Sequence, residues 1–229
     1  MKNMLGSLRG QGAFILLGGI LLAVGMTMVT NYLSQTANDV QHTVEAEETP
    51  RFEHLDAVEK LYERFALRED RQAIIIHVTE QTLYLVKDGT AVASYPISSS
   101  KYGVGSRAGS NKTPLGTHRI SEMFGDGAPL GTVFRARVNT GEVVKIYTDD
   151  TDIEDDLVTT RIMWLDGQES GLNTGAGIDS HSRYIYIHGT QEEGLIGRPA
   201  SHGCIRMKNQ DVIDLFDRVQ IGTLVEILE

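Results

Sequence analysis

A chain of 229 residues can hold one well-buried domain plus an appendage, and 41% hydrophobic with 23% charged residues is the ordinary composition of a soluble globular domain. A net charge of −10 argues against a surface that tracks a polyanion, so nucleic acid is not expected as a partner.

The N-terminus departs from this average. Residues 13–29 carry no charge and read AFILLGGILLAVGMTMV, and uncharged flanks extend the run far enough to cross a bilayer. Lys2 and Arg9 precede it, whereas Asp39, Glu45, Glu47 and Glu48 follow, so the positive-inside rule keeps the N-terminus cytoplasmic. The expectation is a single-pass anchor over residues 1–33 with the rest of the chain periplasmic or otherwise extracytoplasmic. A cleaved signal peptide is the rival reading, but no convincing small-x-small cleavage site follows the apolar run, Gln35 and Ala37 making a weak pair.

Residues 34–71 comprise a polar, acidic linker and then a short amphipathic helix between Pro50 and Asp70, with Phe52, Leu55, Leu61, Tyr62 and Phe65 at helical spacing. From residue 72 onward the pattern is of strands. Two apolar runs, 82–86 and 91–95, flank Asp88-Gly89, a strong hairpin signal. Further strands are expected at 74–78, 116–121, 133–138, 143–147, 160–165, 183–188 and 223–228, and a helix at 210–219 with Asn209 as its N-cap. The fold class is therefore mostly β with a few short helices. Asp149, Asp150, Asp152, Glu154, Asp155 and Asp156 form an acidic stretch without the glycine and terminal glutamate of an EF-hand, read as a solvated loop or lid. No metal is assigned; His181 and His188 are the one pair at near-ligand spacing, and a weak one.

The chain has a single cysteine, so an internal disulfide is excluded; packing, an intermolecular link or nucleophilic chemistry remains. Cys204 lies in Ser201-His202-Gly203-Cys204-Ile205-Arg206, where glycine permits close approach of a carbonyl and nearby cationic groups are expected to favour the thiolate. Alternation along 183–188 puts Tyr184, Tyr186 and His188 on one face and Ile185 and Ile187 on the other. The loop 189–200 is long enough to return Cys204 to the side of His188. Such a pair suffices for acyl transfer, with the amides of Gly203 and Cys204 as an oxyanion hole, a carbonyl near Gly189 orienting the imidazole, and Arg206 gripping a substrate carboxylate.

His188-Gly189 followed by Ser201-His202-Gly203-Cys204-Ile205-Arg206 resembles the signature of the L,D-transpeptidase catalytic domain family (YkuD-type, ErfK/YbiS/YcfS/YnhG-like). Thr82-Leu83-Tyr84-Leu85 with Asp88-Gly89, and Lys112-Thr113-Pro114-Leu115-Gly116-Thr117, match the family's early hairpin and its Thr-Pro-x-Gly turn. The resemblance implies a β-sandwich or barrel-like catalytic domain over 72–229, with Cys204 as nucleophile, His188 as base and Gly189 as the carbonyl that orients it. Ser201, His202, Gly203 and Arg206 would form the supporting wall, with Tyr184 and Tyr186 on the substrate side; His202 can also be read as a second base. No cofactor is implied. The implied substrate is the peptidoglycan stem peptide: attack at the third residue, usually diaminopimelate, expulsion of D-alanine and transfer to an amine, with carbapenem-type inhibition. Water as acceptor would make an L,D-carboxypeptidase, a lysine-bearing protein would make an attachment enzyme, and a wall-binding module without catalysis is the reading of a different class.

Overall fold

The computed structural model describes residues 53–66, 71–153 and 156–229. The expected anchor and linker lie outside the described residues, and among those described no helix is long and apolar enough to cross a membrane. Helix α1 spans Leu55–Arg64 and presents Val58, Leu61 and Tyr62 as its buried stripe.

Among the described residues ten strands follow: β1 (Gln72–His77), β2 (Thr82–Lys87), β3 (Thr90–Ser98), β4 (Gly116–Phe124), β5 (Thr132–Arg135), β6 (Val138–Val143), β7 (Val158–Gly167), β8 (Tyr186–Gly189), β9 (Ile205–Met207) and β10 (Leu224–Leu228), with helix α2 at Asn209–Arg218 between the last two. Their order is β4-β10-β1-β2-β3-β9-β8-β7, and the additional β4–β7 pairing closes these eight into a barrel; β5 and β6 extend from β7 as a hairpin. Inward-facing Ile74, Ile76, Leu83, Leu85, Ile120, Met163, Leu165, Ile187, Ile205 and Ile227, joined by Val212 and Leu215 of α2, form the main core. The alternate residues Ala73, Ile75, Val86 and Leu224 face outward beneath α1. Covered on both faces, β1 therefore reads as a continuous apolar run rather than an alternating one.

The Asp88-Gly89 hairpin is present, with both residues at positive φ (50° and 79°), as a two-residue primed turn requires. Other expectations are corrected. The strands expected at 133–138 and 143–147 are instead the β5–β6 hairpin, which turns at Ala136 and Arg137, also at positive φ (47° and 69°). Neither residue belongs to the Gly/Asn/Asp group that marks such a turn, so the sequence conceals it. The strand expected from Arg183 begins only at Tyr186, because Tyr184 adopts φ 58° and breaks the alternation. Asn209 does not cap α2: the N-cap is Lys208, and the fully buried Asn209 side chain instead donates to Thr190 O and accepts from the Thr159 and Thr160 hydroxyls.

Candidate active site

Strands β8 and β9 are parallel neighbours, with Ile187 opposite Ile205 and His188 opposite Arg206. Parallel neighbours need a long crossover, here residues 190–204 with one 3-10 turn at Glu193–Leu195. The crossover returns the chain to the start of β8, which puts Cys204 beside Tyr186 rather than directly opposite His188. Since side chains alternate, Tyr186, His188, Cys204 and Arg206 share the outer face while Ile187 and Ile205 enter the barrel. That outer face is roofed by Phe134 of β5, with Ile162 and Trp164 of β7 beside it.

His188 is 1% exposed. Its Nδ1 lies 2.7 Å from the carbonyl oxygen of Gly189, which assigns the proton to Nδ1 and leaves a lone pair on Nε2. Among the described residues no hydrogen bond to Nε2 is found. Burial, the largest influence, lowers the imidazole pKa; the Asp156 charge and the Gly189 carbonyl oppose it without prevailing. Gly189 is needed here because a Cβ would fall 2.6 Å from Asn209 Oδ1 and 2.9 Å from Thr159 O.

The Cys204 thiol donates to Tyr184 O at 3.3 Å and accepts from the Tyr186 N–H at 3.4 Å. Burial pushes its pKa up to about 12, aided by Asp156 and only partly offset by the Tyr186 amide, Arg206 and Arg183. Against the expectation that nearby cations favour a thiolate, desolvation is the larger influence and raises the thiol pKa, even though Cys204 keeps part of its surface open.

The Ser201–Cys204 turn is held from within. The Ser201 hydroxyl donates to Cys204 O at 2.6 Å and accepts from the Gly203 N–H at 3.2 Å, while the Thr113 hydroxyl donates to Gly203 O at 3.1 Å. Ser201 is fully buried, so it shapes the turn instead of lining a substrate cleft, and the Gly203 amide expected in the oxyanion hole is engaged by that hydroxyl. Gly203 itself has φ 124°, a conformation that side chains rarely adopt.

Arg206 is also placed otherwise than expected. It is 2% exposed; Nη1 donates to Glu192 Oε2 at 2.8 Å and Nη2 pairs with Asp156 Oδ1 at 2.7 Å, close in distance though without hydrogen-bond alignment at that oxygen. A guanidinium sealed between two carboxylates of its own chain has no face for a substrate carboxylate. Asp156 Oδ2 also lies 3.0 Å from His202 Nδ1. Burial opposes the Asp156 charge, but Arg206, His188 and His202 outweigh it and hold the carboxyl below its usual range. The acidic stretch is therefore solvated at Asp149, Asp150 and Asp152 but anchored into the site by Asp156.

Sequence reading missed the roof of the site. Arg137, on the β5–β6 turn, lies 4.3 Å from the Trp164 ring centroid and 5.4 Å from that of Tyr184, and donates to Tyr186 Oη at 3.1 Å. Trp164 stacks on His181 at 3.8 Å, and Tyr184 is 55% exposed at the rim. Arg183 donates to Lys112 O at 2.6 Å, fastening the 105–113 loop beside the cysteine turn. Only the charge pattern of Arg135-Ala136-Arg137 could have drawn attention to the hairpin; Glu192 carried no signal in the sequence.

Residues 71–227 match the family model for YkuD, the L,D-transpeptidase catalytic domain, and the chain belongs to that family. Its relatives include the probable L,D-transpeptidase YcfS of Escherichia coli K12, 27% identical over 165 residues that cover 69% of this chain and 44% of the relative. The probable L,D-transpeptidase YbiS of the same organism is 43% identical over 47 residues, 20% of this chain and 15% of the relative. The chain thus aligns with less than half the length of these relatives. Among solved structures, an L,D-transpeptidase from Mycobacterium smegmatis is 17% identical with a TM-score of 0.41, covering 69% of this chain and 58% of that one. The L,D-transpeptidase LdtMt1, solved in complex with imipenem, is 16% identical with a TM-score of 0.43, covering 69% and 59% respectively.

Proposed function

We propose that this chain is a peptidoglycan L,D-transpeptidase in which Cys204 is the nucleophile and His188 the general base. The observation that carries the reading is the buried His188 imidazole, fixed through Nδ1 on the Gly189 carbonyl, with Nε2 unpartnered on the face that also bears Cys204. Its neutral state suits a base, because burial opposes the imidazolium until a substrate brings compensating charge.

In the first step the thiol proton passes to His188 Nε2 as sulfur attacks the carbonyl carbon of the third stem residue, diaminopimelate in the substrate class the family points to. Collapse of the tetrahedral adduct breaks the amide bond, and the imidazolium returns the proton to the departing D-alanine amine. In the second step an acceptor amine loses a proton to Nε2 and attacks the thioester, restoring the Cys204 thiol. Tyr186 and Trp164 wall the site, Tyr184 stands at its rim, and the half-buried Arg137 supplies the cation for a stem carboxylate that Arg206 cannot reach. His202, tied to Asp156, steadies the cysteine turn in place of acting as a second base. The apolar run 13–29 anchors the chain in the cytoplasmic membrane with the catalytic domain extracytoplasmic, and carbapenem-type inhibitors acylate Cys204.

Incubating the full chain in detergent with disaccharide-tetrapeptide and reading the products by mass spectrometry tests this. A cross-linked dimer formed with loss of D-alanine is expected, and neither Cys204→Ser nor His188→Ala should form the acyl-enzyme. Tripeptide alone would make the protein an L,D-carboxypeptidase with water as acceptor, and a fully active Cys204→Ser variant would remove the mechanism.

A further inference from the structure

We propose that His54, His77 and Glu80 form a binding site for one divalent transition-metal ion of the zinc class, clasping the start of α1 to the β1–β2 corner. The three come from separate places: His54 is the N-cap residue of α1, His77 ends β1, and Glu80 sits in the turn before β2. One ligand atom from each lies within 4.8 Å of the other two. Glu80 Oε1 is 3.2 Å from His54 Nε2 and 3.6 Å from His77 Nδ1. Ligand atoms about 2.0–2.1 Å from a tetrahedral ion stand about 3.3 Å apart, so both edges fit with only small shifts.

The surroundings favour ligation over an incidental cluster. The Tyr84 hydroxyl donates to Glu80 Oε2 at 2.8 Å and His54 Nε2 lies 3.3 Å from the same oxygen, so the phenol holds a carboxylate whose two oxygens both stand within reach of an imidazole. The Glu80 backbone N–H donates to His77 Nδ1 at 3.3 Å, so that nitrogen carries the lone pair a metal requires; this long bond is the one that would yield to the ion. His54 makes no side-chain capping bond to its helix although it holds the N-cap position, and its ring instead stacks on His77 at 4.6 Å. Two histidines and one glutamate leave a fourth tetrahedral position for water. Sequence spacing hides the set, since residues 54 and 77 meet only after α1 docks on the barrel.

The test uses the full chain in detergent, stripped with EDTA and carrying Cys204→Ser so that the thiol cannot take the ion. Titration with Co²⁺ should give the visible absorption of a tetrahedral site at one ion per chain, displaced by Zn²⁺, and Zn²⁺ should raise the Tm. His77→Ala and the isosteric Glu80→Gln should each lose the Co²⁺ spectrum and the Zn²⁺-dependent rise in Tm, and Tyr84→Phe should weaken binding about tenfold. Circular dichroism without metal confirms that each variant is folded, and Glu80→Gln stands in should His77→Ala fail to fold. No tetrahedral spectrum in the parent, or a spectrum and Tm shift unchanged in Glu80→Gln, overturns the proposal. Because the readouts are spectral and thermal, they stand or fall apart from any peptidoglycan activity.

Discussion

Two histidines are buried in this barrel in nearly the same way, and the small difference between them separates architecture from chemistry. His118 on β4 sets Nδ1 2.9 Å from Gly116 O and Nε2 2.9 Å from Ser180 Oγ; burial drives its pKa down to about 4. His188 on β8 makes the same kind of carbonyl contact to Gly189, and burial lowers its pKa too, but its second nitrogen has no partner among the described residues. A satisfied pair of ring nitrogens holds two segments together. A pair with one nitrogen left over keeps a basic lone pair that a ligand can use.

The comparison breaks if the two imidazoles respond alike to substitution. His188→Gln should lower kcat by about 10²–10⁴-fold in a single-turnover assay while moving the Tm little, whereas His118→Gln should keep kcat within a small factor. Equal losses would show that both act through stability. Arg206→Ala sharpens the same contrast from the charged side. It strands Asp156 and Glu192 without their cation, so urea unfolding should show a loss of about 3–5 kcal/mol, where a substrate clamp would instead raise KM in a stable protein.

Acid is the next lever. A neutral buried imidazole has a folded pKa below its unfolded value, so the unfolded chain takes up the proton first as pH falls. The stability from His118 is complete above about pH 6.5 and drains as pH drops toward about 4, some 3 kcal/mol in all. Unfolding curves across that window should flatten in His118→Gln. The smallest effect expected is that of His118→Gln at neutral pH, about 1–3 kcal/mol for a buried hydrogen-bond network left incomplete, read as a shift in urea midpoint.

Much of this was legible in the sequence because it depended on local rules. The Asp88-Gly89 turn, the strand-like runs that became β2, β4 and β7, and the amphipathic stripe of α1 each follow from local pattern or turn chemistry. So was the glycine carbonyl at the His188 ring, a contact with the next residue along the chain. What escaped depended on neighbours distant in sequence. Ala136 and Arg137 form a primed turn with no residue that announces one, hiding the hairpin that roofs the site. Arg206 looked like an available cation because its two carboxylates lie 14 and 50 residues before it, brought in by the crossover and the acidic loop. The thiolate expectation met a related obstacle: charge near Cys204 can be read from a motif, but the desolvation that opposes it cannot.

The position of β10 has a kinetic meaning. It lies between β1 and β4, strands that precede it by about 150 and 105 residues, so the ring stays open until the last strand of the barrel has been delivered. Until then both neighbours carry unpaired edges, the condition under which chains meet one another instead of themselves. Such wiring makes folding a late event, dominated by long loops that must close before any contact rewards them. A chain that loses residues 224–228 should therefore fail as a whole, aggregating instead of settling into a slightly weaker barrel.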